Sequence, residues 1–111
     1  MDDLRGFRVA VTAHRRVREQ TMLFEWLGAA VVALPLVVLE PTPGDETLDV
    51  VRRVLDRPPE VAVFTTGAGT CRLFAVADAA GLGDALEHAV DGGHVIARGP
   101  KATGALAARG V

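Results

Sequence analysis

Short runs of β-branched and aromatic residues alternate along this chain with segments of helical spacing, an order that predicts an α/β fold with a parallel sheet flanked by helices. Three of the strand-like runs end in turns rich in Gly, Thr and basic residues, each leading into a helix. These turns are Thr12–Arg16, Thr65–Thr70 after Val61–Phe64, and Arg98–Lys101 after Val95–Ala97. A helix start exposes backbone N–H groups without intrahelical partners, and its dipole favours negative charge. Three such starts in one small chain point to a surface that collects carboxylates or phosphates.

The totals narrow the field. With 12 basic against 14 acidic side chains, the chain lacks the clustered basic excess of a nucleic-acid surface, and no nucleic acid is expected as a partner of this segment. Its 111 residues suit a real hydrophobic core. The lone Cys71 permits no internal disulfide and fits a reducing compartment. The longest apolar run, Ala29–Leu39, is broken by Pro35 and falls short of the ~20 residues of a membrane span. The polar start Met1-Asp2-Asp3-Leu4-Arg5 has no apolar leader segment. A cytoplasmic location without membrane contact is expected. His14, His88 and His94 are not spaced as a ligand cluster with one another or with Cys71, and neither metal nor cofactor is expected.

Along the chain, Phe7–Thr12 reads as a strand, Val17–Leu27 as a helix closed by Gly28, and Val31–Glu40 as a second strand with Pro35 at an edge or bend. Residues 1–40 are read as the start of a first α/β domain. The stiff crossover Pro41-Thr42-Pro43-Gly44-Asp45 is the clearest boundary, and 46–111 form the first part of a second α/β domain. Asp45 is expected to cap a helix whose apolar face is Leu48, Val51, Val54 and Leu55. A strand at Val61–Thr65, helices at Cys71–Ala80 and Asp84–Val90, a strand at His94–Ala97 and a helix at Lys101–Arg109 complete the order. Val111 reads as the first residue of a further strand, so an incomplete domain is expected.

The succession of motifs resembles uroporphyrinogen-III synthase. The resemblance is carried by Val9-Ala10-Val11-Thr12, the Leu27-Gly28-Ala29 turn, the proline-bearing run Val31–Leu36, the crossover, Val63-Phe64-Thr65-Thr66, and Gly99-Pro100-Lys101-Ala102-Thr103. It extends over essentially the whole chain. Departures occur where the family has Arg after the first Val-Thr and this chain has Ala13, and where the family has Thr three residues after Gly99 and this chain has Ala102. Thr103 stands one place later, turned ~100° around the helix.

The resemblance implies flavodoxin-like halves of a two-domain synthase. Its substrate would be hydroxymethylbilane, a linear tetrapyrrole with eight carboxylates, closed to uroporphyrinogen III with inversion of the last ring and loss of water. No cofactor is implied. The variant pattern resembles an actinobacterial branch often fused to a winged-helix DNA-binding domain, which would lie beyond Val111. The tyrosine usually considered as general acid in the family has no counterpart, since this sequence contains no Tyr.

Candidate substrate contacts are therefore Thr12, Arg15, Thr65, Thr66, Gly67, Gly99, Lys101 and Thr103, with no catalytic residue assigned. Each has a plainer reading. Thr65–Thr70 makes a tight turn with Thr70 as cap, Pro100 suits a first helical turn, and Arg15 suits an exposed helix start. Trp26 and Cys71 are expected to be packed inside. Three readings stay open: the cyclase, with this segment alone inactive; a tetrapyrrole- or polycarboxylate-sensing domain of a transcriptional regulator; or a flavodoxin-like half with no ligand.

Overall fold

The computed structural model describes residues 3–111. Their contacts divide the chain into two units, Met1–Glu40 and Pro41–Val111.

In the first unit, β1 (Arg8–Val11), α1 (Val17–Trp26) and β2 (Ala30–Ala33) form a strand–helix–strand motif, with β1 and β2 parallel and Arg8 paired to Ala30 through Val11 to Ala33. Gly28, at φ 95°, turns the chain out of α1 in a conformation that L side chains rarely adopt. Only Val11 and Ala29 are buried hydrophobics among the described residues of this unit.

The second strand is shorter than Val31–Glu40. Leu34 N–H donates to Val11 O at 2.8 Å and Leu36 N–H to Thr12 O at 3.3 Å, so the chain follows β1 only a little past Ala33. Pro35 has no N–H to offer and β1 has ended at Val11, which leaves Val37–Leu39 without a ladder partner. Trp26, expected in the core, is 72% exposed. A two-stranded sheet is too narrow to bury both sides of α1.

The second unit runs α2 (Gly44–Asp56), β3 (Val61–Phe64), α3 (Gly67–Ala79), α4 (Gly83–Asp91), β4 (His94–Ala97) and α5 (Gly99–Ala107). β3 and β4 are parallel, with Val61 opposite His94 and Phe64 opposite Ala97. Period-two alternation sorts their side chains. Ala62, Phe64, Val95 and Ala97 pack into the helical core with Val51, Phe74, Ala77, Leu86, Val90, Ala102 and Leu106, while Val61, Val63 and Ile96 remain about half exposed on the other face. Phe64 and Phe74 stack at 6.5 Å between ring centroids.

α2 presents Leu48, Val51, Val54 and Leu55 to that core, as their spacing requires. Its N-cap is Pro43 rather than Asp45. With no side-chain cap, Asp45 lies inside the first turn, where its charge suits the helix dipole.

Arg109 ties the helices together at their outer side. Its guanidinium donates twice to the Asp78 carboxylate at 2.8 Å, lies 2.7 Å from Glu87 through Nε, and sits over the Phe74 ring at 4.9 Å. The Glu87 contact is a close charge approach without an aligned hydrogen bond. The Asp78 hydrogen bonds raise the Arg109 pKa further above its ordinary value, against desolvation, with the fields of Asp78, Glu87 and Asp84 adding to the rise. Gly83 makes room for this group, because a Cβ there would overlap the Asp78 carboxylate and come within 2.9 Å of Arg109 Nη2.

Leu86 is fully buried at the centre of the helical layer. Leu86→Ala is expected to cost about 2–5 kcal/mol through lost contacts and a cavity, whereas Trp26→Ala stays within about 0.5 kcal/mol. Urea unfolding followed by circular dichroism distinguishes the two.

Candidate functional site

β3 and β4 run in the same direction, so both lead into their following helices from one edge of the sheet, the edge at which ligands of open α/β sheets gather. The ladder carries on across this tip, with Arg98 N–H donating to Phe64 O at 2.8 Å.

α3 begins four residues earlier than the Cys71 start read from spacing. Thr66, in extended backbone, is its N-cap and accepts from Gly69 N–H at 3.0 Å. Thr70 is not the cap. Its hydroxyl is buried and donates to Thr66 O at 2.7 Å. The Gly67-Ala68-Gly69 run, read as a loop, is thus the first turn of the helix, which is why apolar periodicity underestimates its length. Cys71 points to solvent rather than into the core.

α5 likewise starts at Gly99 instead of Lys101, with Pro100 in its first turn. Gly99 has φ 79°, a left-handed conformation that glycine adopts without steric cost.

The two helix starts touch. A Cβ on Gly67 would lie 3.0 Å from Lys101 O and 3.1 Å from Lys101 Cβ, so the backbones of α3 and α5 are in direct contact at the tip. This contact is the organising feature of the candidate site. Around it Thr65, Thr66, Gly99 and Lys101 are exposed, as is Arg98, while Gly67 is half-buried.

The donors available are fewer than the count of helix-start residues. Thr66 occupies the Gly69 N–H, and Pro100 has none to give. Gly67 and Ala68 on α3, and the backbone around Lys101 on α5, remain at positions where helix geometry supplies no partner. Thr103 is exposed, and its hydroxyl donates to Gly99 O at 2.9 Å within its own helix. Ala102 is fully buried and belongs to the core.

Thr12 and Arg15 lie in the first unit, after the C-terminal end of β1, and both side chains are exposed. Arg16 caps α1 with φ 53°, an uncommon conformation for a residue with a Cβ. Gln20 Nε2 donates to Arg15 O at 3.3 Å, bracing the turn.

Sequence reasoning missed the backbone contact of Gly67 with Lys101 and the part Ala68 plays as a first-turn residue. It also missed Arg72, whose Nη2 donates to Thr42 O at 3.4 Å and holds the crossover to α3. The run Gly67-Ala68-Gly69 carried a signal for the first of these, since small residues permit close backbone approach. Among the described residues there is no group of three or more His, Cys, Asp or Glu side chains placed to hold a metal ion. No helix among them is long and apolar enough to cross a membrane.

Parallel strands feeding adjacent, glycine-lined helix starts define an α/β protein. The chain has a uroporphyrinogen III synthase-like fold. It is similar to a mutant uroporphyrinogen III synthase from the extremely thermophilic bacterium Thermus thermophilus, with a TM-score of 0.84 and 32% identity over 95% of this chain. A second structure of Thermus thermophilus uroporphyrinogen III synthase matches 94% of it at 33% identity and a TM-score of 0.59. In both comparisons the chain spans about 40% of the length of the synthase. No family model matches the sequence. No curated protein matches it significantly.

Thr66→Ala removes the α3 cap and is expected to lower the stability of the second unit by about 1 kcal/mol, with Thr66→Ser restoring most of it. The shift in urea midpoint measures both.

Proposed function

We propose that this chain contributes the carboxylate-binding wall of a uroporphyrinogen III synthase-type cyclase. The substrate is hydroxymethylbilane, which the enzyme closes to uroporphyrinogen III with inversion of the last pyrrole ring and loss of water. The observation that carries the reading is the contact of the α3 and α5 starts at Gly67 and Lys101, within a chain of synthase-like fold.

Eight carboxylates call for many donors rather than one strong acid. Backbone N–H groups at Gly67 and Ala68 suit one carboxylate, held by charge-assisted hydrogen bonds of about 1.5–3 kcal/mol each. Lys101 and Arg98 add positive charge beside it, and Thr65 and Thr66 border the same tip. In the first unit Thr12 and Arg15 take the corresponding role after β1. The reacting hydroxymethyl pyrrole is intrinsically labile, so holding the chain ends in position supplies much of the acceleration. None of these residues is assigned as the acid.

One observation favours a second reading, a polycarboxylate-sensing domain of a transcriptional regulator. Ala102 stands buried where the synthase pattern has Thr, and the Thr103 hydroxyl is turned back onto Gly99.

Titration with uroporphyrin, an octacarboxylate, tests the binding wall. Lys101→Ala is expected to weaken binding about fivefold, the effect of one exposed charge pair. Gly67→Val, which pushes the Lys101 backbone away, is expected to weaken it more. Affinity unchanged in both variants refutes the site. Incubation of the intact gene product with hydroxymethylbilane then separates the functions: the inverted isomer supports the cyclase, and only the spontaneous uninverted isomer supports the regulator. The 111-residue chain alone is expected to yield only the uninverted isomer.

A further inference from the structure

We infer that Arg109 is a positioning residue for the strand-tip site: its paired hydrogen bonds to Asp78 fix α5 against α3 in height and rotation, and so fix the place of Lys101. The inference rests on the carboxylate reading for what the tip holds. The coupling of Arg109 to the tip is itself observable without a ligand.

α3 and α5 leave the tip side by side and touch there at Gly67 and Lys101. At ~1.5 Å of rise per residue, Asp78 lies about 16 Å along α3 from Gly67, and Arg109 about 12 Å beyond Lys101. The tip contact and the Arg109–Asp78 pair therefore stand at opposite ends of one helix–helix seam.

Little between those ends sets the register. α5 reads Gly99-Pro100-Lys101-Ala102-Thr103-Gly104-Ala105-Leu106-Ala107, and only Ala102 and Leu106 are buried. Helices lock against sliding when side-chain ridges of one fill the grooves of the other. A helix of alanine and glycine has shallow ridges, and apolar burial has no direction. Leu106 holds α5 on the core but does little to oppose a small slip or roll.

Arg109 supplies the direction. Its two terminal nitrogens each donate to one Asp78 oxygen at 2.8 Å, a planar fork that fixes distance and angle together. The guanidinium lies 4.9 Å from the ring centre of Phe74, which is buried on α3. The start of α4 is shaped to the same pair. Gly83 is buried there and has no positive φ that would require glycine, yet a Cβ on it would overlap the Asp78 carboxylate.

Nuclear magnetic resonance of the 111-residue chain tests the coupling. Arg109→Met keeps an apolar stem beside Phe74 and removes the fork, while Gly83→Ala leaves Arg109 in place and displaces the Asp78 carboxylate. Both are expected to shift the backbone amide signals of Gly67, Ala68, Lys101 and Ala102, at the other end of the seam. Val90→Ala, a truncation of the core on α4, is expected to lower stability and leave those signals in place. Should Arg109→Met fail to fold, Arg109→Lys keeps the charge without the fork and gives the same readout. Tip signals that stay put in the fork variant or in Gly83→Ala overturn the proposal, as do signals that move equally in Val90→Ala.

Uroporphyrin titration separates this inference from the carboxylate reading. Arg109→Met is expected to weaken binding by about fivefold, the loss that Lys101→Ala brings. Lys101→Ala should then cost less in that background than in the wild type, because the two act on one contact. A wild-type chain without affinity refutes the carboxylate reading, and the tip signals alone then decide the role of Arg109. A wild type that binds, with affinity unchanged in a fully folded Arg109→Met, overturns that role.

Discussion

The pairing of β3 with β4 in the same direction is the constraint from which the second unit follows. A parallel pair cannot be joined by a hairpin, so the chain from Phe64 to His94 must cross over, and it does so through α3 and α4. Those helices and α5 bring Phe74, Ala77, Leu86, Val90, Ala102 and Leu106 onto one side of the sheet, where α2 adds Val51. The same parallel sense puts the starts of α3 and α5 side by side. Had the strands run in opposite directions, the Gly67 and Lys101 backbones would not meet.

Small residues make that meeting possible, and they also limit what the tip offers. Gly67 accepts the Lys101 backbone because it lacks a Cβ, and Gly99 turns the chain into α5 with a positive φ. In exchange the tip carries little side-chain chemistry. Its cap, Thr66, draws on one of the helix donors, and Pro100 contributes none. What remains is a rim of helix-start N–H positions beside the exposed Arg98 and Lys101.

The order of elements is legible because period-two and helical spacings are strong signals in segments such as Val61–Phe64 and Leu48–Leu55. Helix starts are less so. Gly67, Ala68, Gly69, Gly99 and Pro100 make a weak helical pattern, yet the strands that precede them deliver the chain directly into a first turn, and tertiary direction overrides propensity. The exposure of Trp26 is hidden for a different reason. Its spacing puts it among apolar residues of α1, but whether that side is covered depends on the width of the sheet, which local sequence does not encode. For the site, Thr66, Gly67, Gly99 and Lys101 fall together because they end neighbouring strands. Thr103 keeps its hydroxyl on its own helix, bonded to Gly99 O.

Arg109 carries a consequence for motion. Asp78 belongs to α3, Glu87 to α4 and Phe74 to α3 again, while Arg109 itself follows α5, so one side chain clasps three successive helices. Separating any of them exposes the guanidinium's partners together. Amide protons in the three helices should therefore exchange with solvent through one shared opening, as a single cooperative block, while the N-terminal turn of α2 exchanges on its own schedule.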